Sequence, residues 1–133
     1  MKSVVVGAIT LFVQDLGVAR AFYSNAFGLP AVFEDEHSAV FKFENTLVNL
    51  LVAREASGLI EPANVSVAGD GAHFMLSVWV DDVDAVCSEL GARGVTLLNG
   101  PIDRAWGKRT ASFVDPDGTI WEIAQELAPK AGS

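Results

Sequence analysis

The chain has 133 residues, half of them hydrophobic and a fifth charged, with a formal net charge of -8. That length suits one compact domain or two small halves sharing a core, and the acidic balance speaks against nucleic acid, whose phosphate backbone needs a basic stripe. The single cysteine, Cys87, excludes an intramolecular disulfide and a thiolate zinc cluster.

The opening run VVVGAITLFV (residues 4–13) is short, rich in β-branched residues and followed closely by Asp15. It predicts a strand buried on both faces, not a signal peptide or a membrane span, and hence a cytoplasmic protein. Next, DLGVARAFYSNAFG offers Asp15 as an N-cap and sets Leu16, Ala19, Phe22, Tyr23, Ala26 and Phe27 at helical spacing, with Gly28 and Pro30 as the stop. PAVFEDE, SAVFKFE and TLVNLLVA then read as three strands, with His37 and the Glu44-Asn45 pair in the turns.

Residues 55–71 carry Gly, Ser, Pro and Asn and read as a linker between a module over 1–54 and another over 72–127. The order then returns. HFMLSVWV is a strand, DDVDAVCSELGARG a helix with Val83, Val86, Cys87 and Leu90 on one face, and VTLLN, KRTASFV and TIWEIAQ are strands, with DPDG as a turn before the last. Laying Val13-Gln14-Asp15-Leu16 over Val80-Asp81-Asp82-Val83 matches the two strand–helix junctions at an offset of 67 residues. The implied fold class is α+β, two βαβββ modules forming a curved mixed sheet, since paired half-barrels hide their edges around a shared cavity.

VQDLGVARAFYSNAFGLP, VDDVDAVCSELGARGV and the terminal FVDPDGTIWEI together resemble the vicinal oxygen chelate superfamily, which includes glyoxalase I, bleomycin and mitomycin resistance proteins and extradiol dioxygenases. The resemblance implies the glyoxalase/bleomycin resistance/dihydroxybiphenyl dioxygenase fold, a homodimer, and, in the enzymes, a divalent metal held by the first and last strands of each module. At those positions this chain has Ala8, Asn49, Met75 and Glu122. An open divalent site generally wants three or more imidazole or carboxylate ligands; only Glu122 qualifies, and a register shift of two residues would add His73. The expectation is therefore no cofactor, with a metal on Glu122 and His73 as the alternative.

With Glu122 setting the parity of its strand, alternation turns Phe12, Asn49, Leu51, His73, Met75, Ser77 and Glu122 toward the cup. This lining is mostly apolar with a few polar groups, which suits an organic ligand. The resemblance to drug-binding members with a W-G-x-R segment adds Trp106 and Arg109, closing over a planar or anionic ligand. Glu122, costly to bury as an ion, needs a partner such as Asn49, His73 or a cationic ligand, or acts as a general base. Cys87 reads as a core thiol, and Asp81, Asp82 and Asp84 as helix-capping charges. The leading expectation is a metal-free small-molecule-binding protein for an apolar or aromatic ligand, in drug resistance or toxic-metabolite sequestration. The alternative is a metal-dependent lyase, isomerase or dioxygenase with an atypical ligand set.

Overall fold

The computed structural model of the chain describes residue 1 and residues 3–128. It divides into two compact units, Met1–Asp70 and Gly71–Ser133. The first runs β1 (Ala8–Val13), α1 (Leu16–Phe27), β2 (Ala31–Glu34), β3 (Ser38–Lys42), β4 (Leu47–Val52) and α2 (Ala53–Ile60). Its strands lie in the order β1-β4-β3-β2, with β1 parallel to β4 and the other pairs antiparallel. Asp15 caps α1 by accepting the Val18 N–H at 3.0 Å, and Gly28 ends it in the left-handed region at φ 66°. The helix buries Ala19, Tyr23 and Ala26 over β3 and β4, where the Tyr23 and Phe41 rings lie 6.1 Å apart.

The second unit contains β5 (Met75–Trp79), α3 (Val83–Ala92), β6 (Leu97–Asp103), β7 (Lys108–Val114) and β8 (Ile120–Glu126), in the sheet order β5-β8-β7-β6. Asp82 caps α3 as Asp15 caps α1, accepting the Ala85 N–H at 3.1 Å. In DPDG, Asp115 Oδ1 accepts the Asp117 and Thr119 N–H groups at 2.9 and 2.8 Å, and Gly118 stands at φ 94°. This short tie closes the β7–β8 hairpin and fixes its register. Both units are thus βαβββ and the fold is α+β, as the repeat predicts.

Several boundaries differ from the sequence reading. Val4, Val5 and Val6 precede β1 and are exposed, and β1 itself buries only the Leu11–Val13 side, so it is a one-faced strand. The expected linker holds most of α2, which buries Ala56 beside β4 and β1; Ala and Leu in AREASGLI sustain a helix despite Gly58. β5 starts only at Met75, leaving His73 and Phe74 outside it, and β6 continues through Gly100 and Pro101 to Asp103. His37 is half-buried, with Glu36 and Glu55 3.8 and 3.7 Å away. Among the described residues no helix is long and apolar enough to cross a membrane.

Candidate functional site

Each sheet buries the apolar residues of one face beside its helices, and the alternate residues form a second face. In the first unit Leu11, Val13, Val48, Leu50 and Val52 are buried on the core face. The alternate residues of β1 and β4 share the other, where register pairs Thr10 with Asn49 and Phe12 with Leu51. Asn49 Nδ2 donates to Thr10 Oγ1 at 3.3 Å, so the amide is held within its own unit.

In the second unit Trp121, Ile123, Ala111 and Phe113 are buried on the core face, against α3. Glu122 faces the other way, half-buried and opposite Ser77 in the parallel β5–β8 ladder. Ser77 Oγ donates to Glu122 Oε1 at 2.9 Å. That bond gives Glu122 a partner within its own unit. Met75 sits one two-residue step away opposite Ile120, and Trp79 one step the other way opposite Ala124. Both are exposed, at 48% and 73%. His73 lies in a bend ahead of the ladder and is exposed, so the structure does not bring it to Glu122 as a ligand or base.

Across β8, register pairs Ser112 with Glu122, Thr110 with Ala124 and Lys108 with Glu126, so these β7 residues share the Glu122 face. Arg109 is three positions from Ser112 and therefore points to the core face. There its guanidinium donates to both carboxylate oxygens of Asp103, at 2.6 and 3.3 Å, and to Asp84 Oδ2 at 3.0 Å. The expectation that Arg109 joins Trp106 over a ligand is corrected by this placement. Trp106 itself is 69% exposed in the β6–β7 turn.

Two cations that the sequence reading passed over occupy the Glu122 side. Arg104 Nε donates to Thr110 Oγ1 at 3.0 Å, and its guanidinium carbon lies 5.9 Å from the Trp106 ring centroid. Lys108 Nζ lies 5.3 Å from the Trp79 ring and 4.0 Å from Glu126. The signal that finds them is the DPDG hairpin: its closure pairs Val114 with Ile120, and counting back fixes which face each β7 residue takes.

The positions at which the resemblance implies metal ligands do not fit a divalent cation here. Ala8 has no donor atom and Met75 offers a thioether, a poor partner for hard cations. Asn49 already donates to Thr10, and Glu122 is a single carboxylate. Among the described residues no three His, Cys, Asp or Glu side chains are grouped so as to hold a metal. Burial, with the nearby Asp84 charge adding to it, pushes the Cys87 thiol up, which makes it a poor nucleophile.

Residues 5–123 match the Glyoxalase/Bleomycin resistance protein/Dioxygenase superfamily. The chain is 32% identical over 123 residues to the uncharacterized protein YraH of Bacillus subtilis, covering 90% of this chain and 96% of that protein. Among solved structures, a glyoxalase-related enzyme from Fulvimarina pelagi is 26% identical with a TM-score of 0.79, over 96% of this chain and 94% of its own. A glyoxalase/bleomycin resistance protein/dioxygenase from Nocardioides shares the fold with a TM-score of 0.85 at 22% identity, over 98% and 89% of the two chains. The fold is thus that of a known scaffold, and the chain belongs to the Glyoxalase/Bleomycin resistance protein/Dioxygenase superfamily.

Proposed function

We propose that the protein binds a small aromatic or apolar molecule on the Glu122 face of its second unit, without a metal and without chemistry of its own. The observation that carries this reading is the side-by-side placement of Ser77-bound Glu122 with Met75 and Trp79 on one face. Exposed aromatic and thioether surface gains free energy when an organic ring covers it, and a few fixed polar groups orient that ring. Glu122 Oε1 is occupied by the serine hydroxyl, so Oε2 is the atom presented to a ligand hydroxyl or amine. A scaffold that hosts both enzymes and binders leaves the site to decide, and this donor set supports binding. Capture of a toxic aromatic metabolite or drug is the role that suits such a site.

A thermal-shift screen with aromatic compounds tests the reading, since a ligand that binds only the folded state raises Tm. The expected result is stabilisation by a subset of ring compounds, weakened in Trp106→Ala, and no stoichiometric metal after titration with Zn, Ni, Mn and Fe. Tight metal binding that disappears in Glu122→Ala would overturn it.

A further inference from the structure

Among the described residues of this acidic chain no carboxylate pairs with Arg104. Arg20, Arg93 and Arg109 each meet one within 3.3 Å. The Arg104 side chain, by contrast, makes one hydrogen bond among the described residues, from Nε to the neutral hydroxyl of Thr110, and there neither terminal nitrogen has an acceptor. Thr110 is 2% exposed in the middle of the sheet, and the Trp106 ring lies 5.9 Å from the guanidinium. The fork is therefore oriented before any ligand arrives, with two N–H edges unspent. A guanidinium so placed matches the planar, bidentate geometry of a carboxylate.

We propose that Arg104 is the anion anchor of this surface and that the ligand is an aromatic carboxylate, a deepening that rests on the reading of the Glu122 face given above. Thr110 pairs with Ala124, one two-residue step along β8 from Glu122 and one strand over. With about 6.6 Å per step and about 4.8 Å between strands, Thr110 and Glu122 stand on the order of 8 Å apart along the sheet, and the Arg104 fork lies beyond Thr110, its Nε 3.0 Å from the hydroxyl. The anchor and Glu122 are thus far enough apart for an aromatic acid that bears a hydroxyl or amine at its far end. The carboxylate lies in the Arg104 fork, the rings lie against the exposed Trp106 ring, and the far hydroxyl donates to Glu122 Oε2. Lys108, set against Trp79, adds positive potential on the same side.

The test compares 6-hydroxy-2-naphthoate with the neutral 2-naphthol, following quenching of tryptophan fluorescence and confirming affinity by calorimetry. In the native protein the acid is expected to bind about 10-fold or more tightly than the naphthol, the scale of a charge-assisted hydrogen-bonded pair, and this advantage should shrink as salt is added. In Arg104→Gln the advantage should be lost while naphthol affinity holds. Thr110→Val, which removes only the bond that orients the guanidinium, should reduce the advantage without abolishing it. Equal binding of the two compounds by the native protein overturns the anchor and leaves the aromatic surface standing, as does an acid preference that persists in Arg104→Gln. Binding of neither overturns both. Should Arg104→Gln fold poorly, equal binding of the two compounds by the native protein still overturns the anchor, and Thr110→Val still reads the contribution of the Arg104 guanidinium.

Discussion

Ser77 Oγ holds Glu122 Oε1 at 2.9 Å across the β5–β8 ladder, and Thr10 and Asn49 form the matching pair at the same place in the first unit. Thr10 stands 67 residues before Ser77, the offset that also superimposes the two caps Asp15 and Asp82. The repeat therefore preserves a hydroxyl beside a polar side chain in each parallel strand pair, while making one partner an amide and the other a carboxylate. Only the second can carry a charge to a ligand.

Removing the hydroxyl in Ser77→Ala should leave the fold intact, because Glu122 is half-buried and can take water in its place. A double-mutant cycle with Glu122→Gln should return a coupling of about 0.5–1.5 kcal/mol in urea unfolding, the net worth of a partly exposed hydrogen bond. No coupling would mean that the pair does not position Glu122.

Gly100 stands at φ 92°, and a Cβ there would lie 2.5 Å from the Thr110 carbonyl oxygen and 2.6 Å from Ala111 Cα. Both are backbone atoms of β7, the strand that also carries the Arg104 contact, and they have little room to retreat. Gly100→Ala should destabilise the protein by about 2–4 kcal/mol, combining left-handed strain with overpacking. The check is a lower urea midpoint at unchanged slope.

Asp115 is 4% exposed and its Oδ1 accepts two backbone N–H groups of the DPDG turn. Asp115→Ala strands those donors and should cost about 1–3 kcal/mol, with Asp115→Asn milder because it keeps an acceptor oxygen in place. Thermal unfolding of the pair should rank native above Asn above Ala.

Hydrogen bonds from Arg109 hold the Asp103 carboxyl below its ordinary value of 3.8, and the His37 amide acts likewise on Asp35. A carboxyl lowered in the folded state contributes stability that is fully present above its unfolded value, and this contribution is lost as pH falls through the folded value. Native protein should therefore have a higher Tm than Asp103→Asn at pH 7, with the gap closing as pH falls through the lowered folded value, where the folded carboxyl is protonated as well. A gap that stays constant down to pH 2 would show that the loss is one of packing and not of charge.

The pattern of elements was legible before any coordinates because it is local. Asp15 and Asp82 cap because a short acceptor side chain precedes an apolar helical run, and DPDG turns because Asp115 can reach its own backbone. Alternation likewise placed Phe12, Asn49 and Leu51 on one face, and Met75, Ser77 and Glu122 on another. The helix in the linker was missed because Gly58 within it and Pro62 after it outweighed the run Ala53–Ile60, and Arg109 was misplaced because its proximity to Trp106 in sequence said nothing about face.

By itself the sequence determined the βαβββ repeat, its capped junctions, the hairpin turn and the absence of histidine and carboxylate from three of the four ligand positions. Those properties depend on residues a few positions apart or on residue identity alone. The tertiary structure decided that Ser77 meets Glu122, that Arg109 is consumed by Asp84 and Asp103, and that Arg104 donates to Thr110 beside the Trp106 ring. Those relationships depend on register between strands and on how far a long side chain reaches, and a one-residue change in pairing sends every such group to the opposite face.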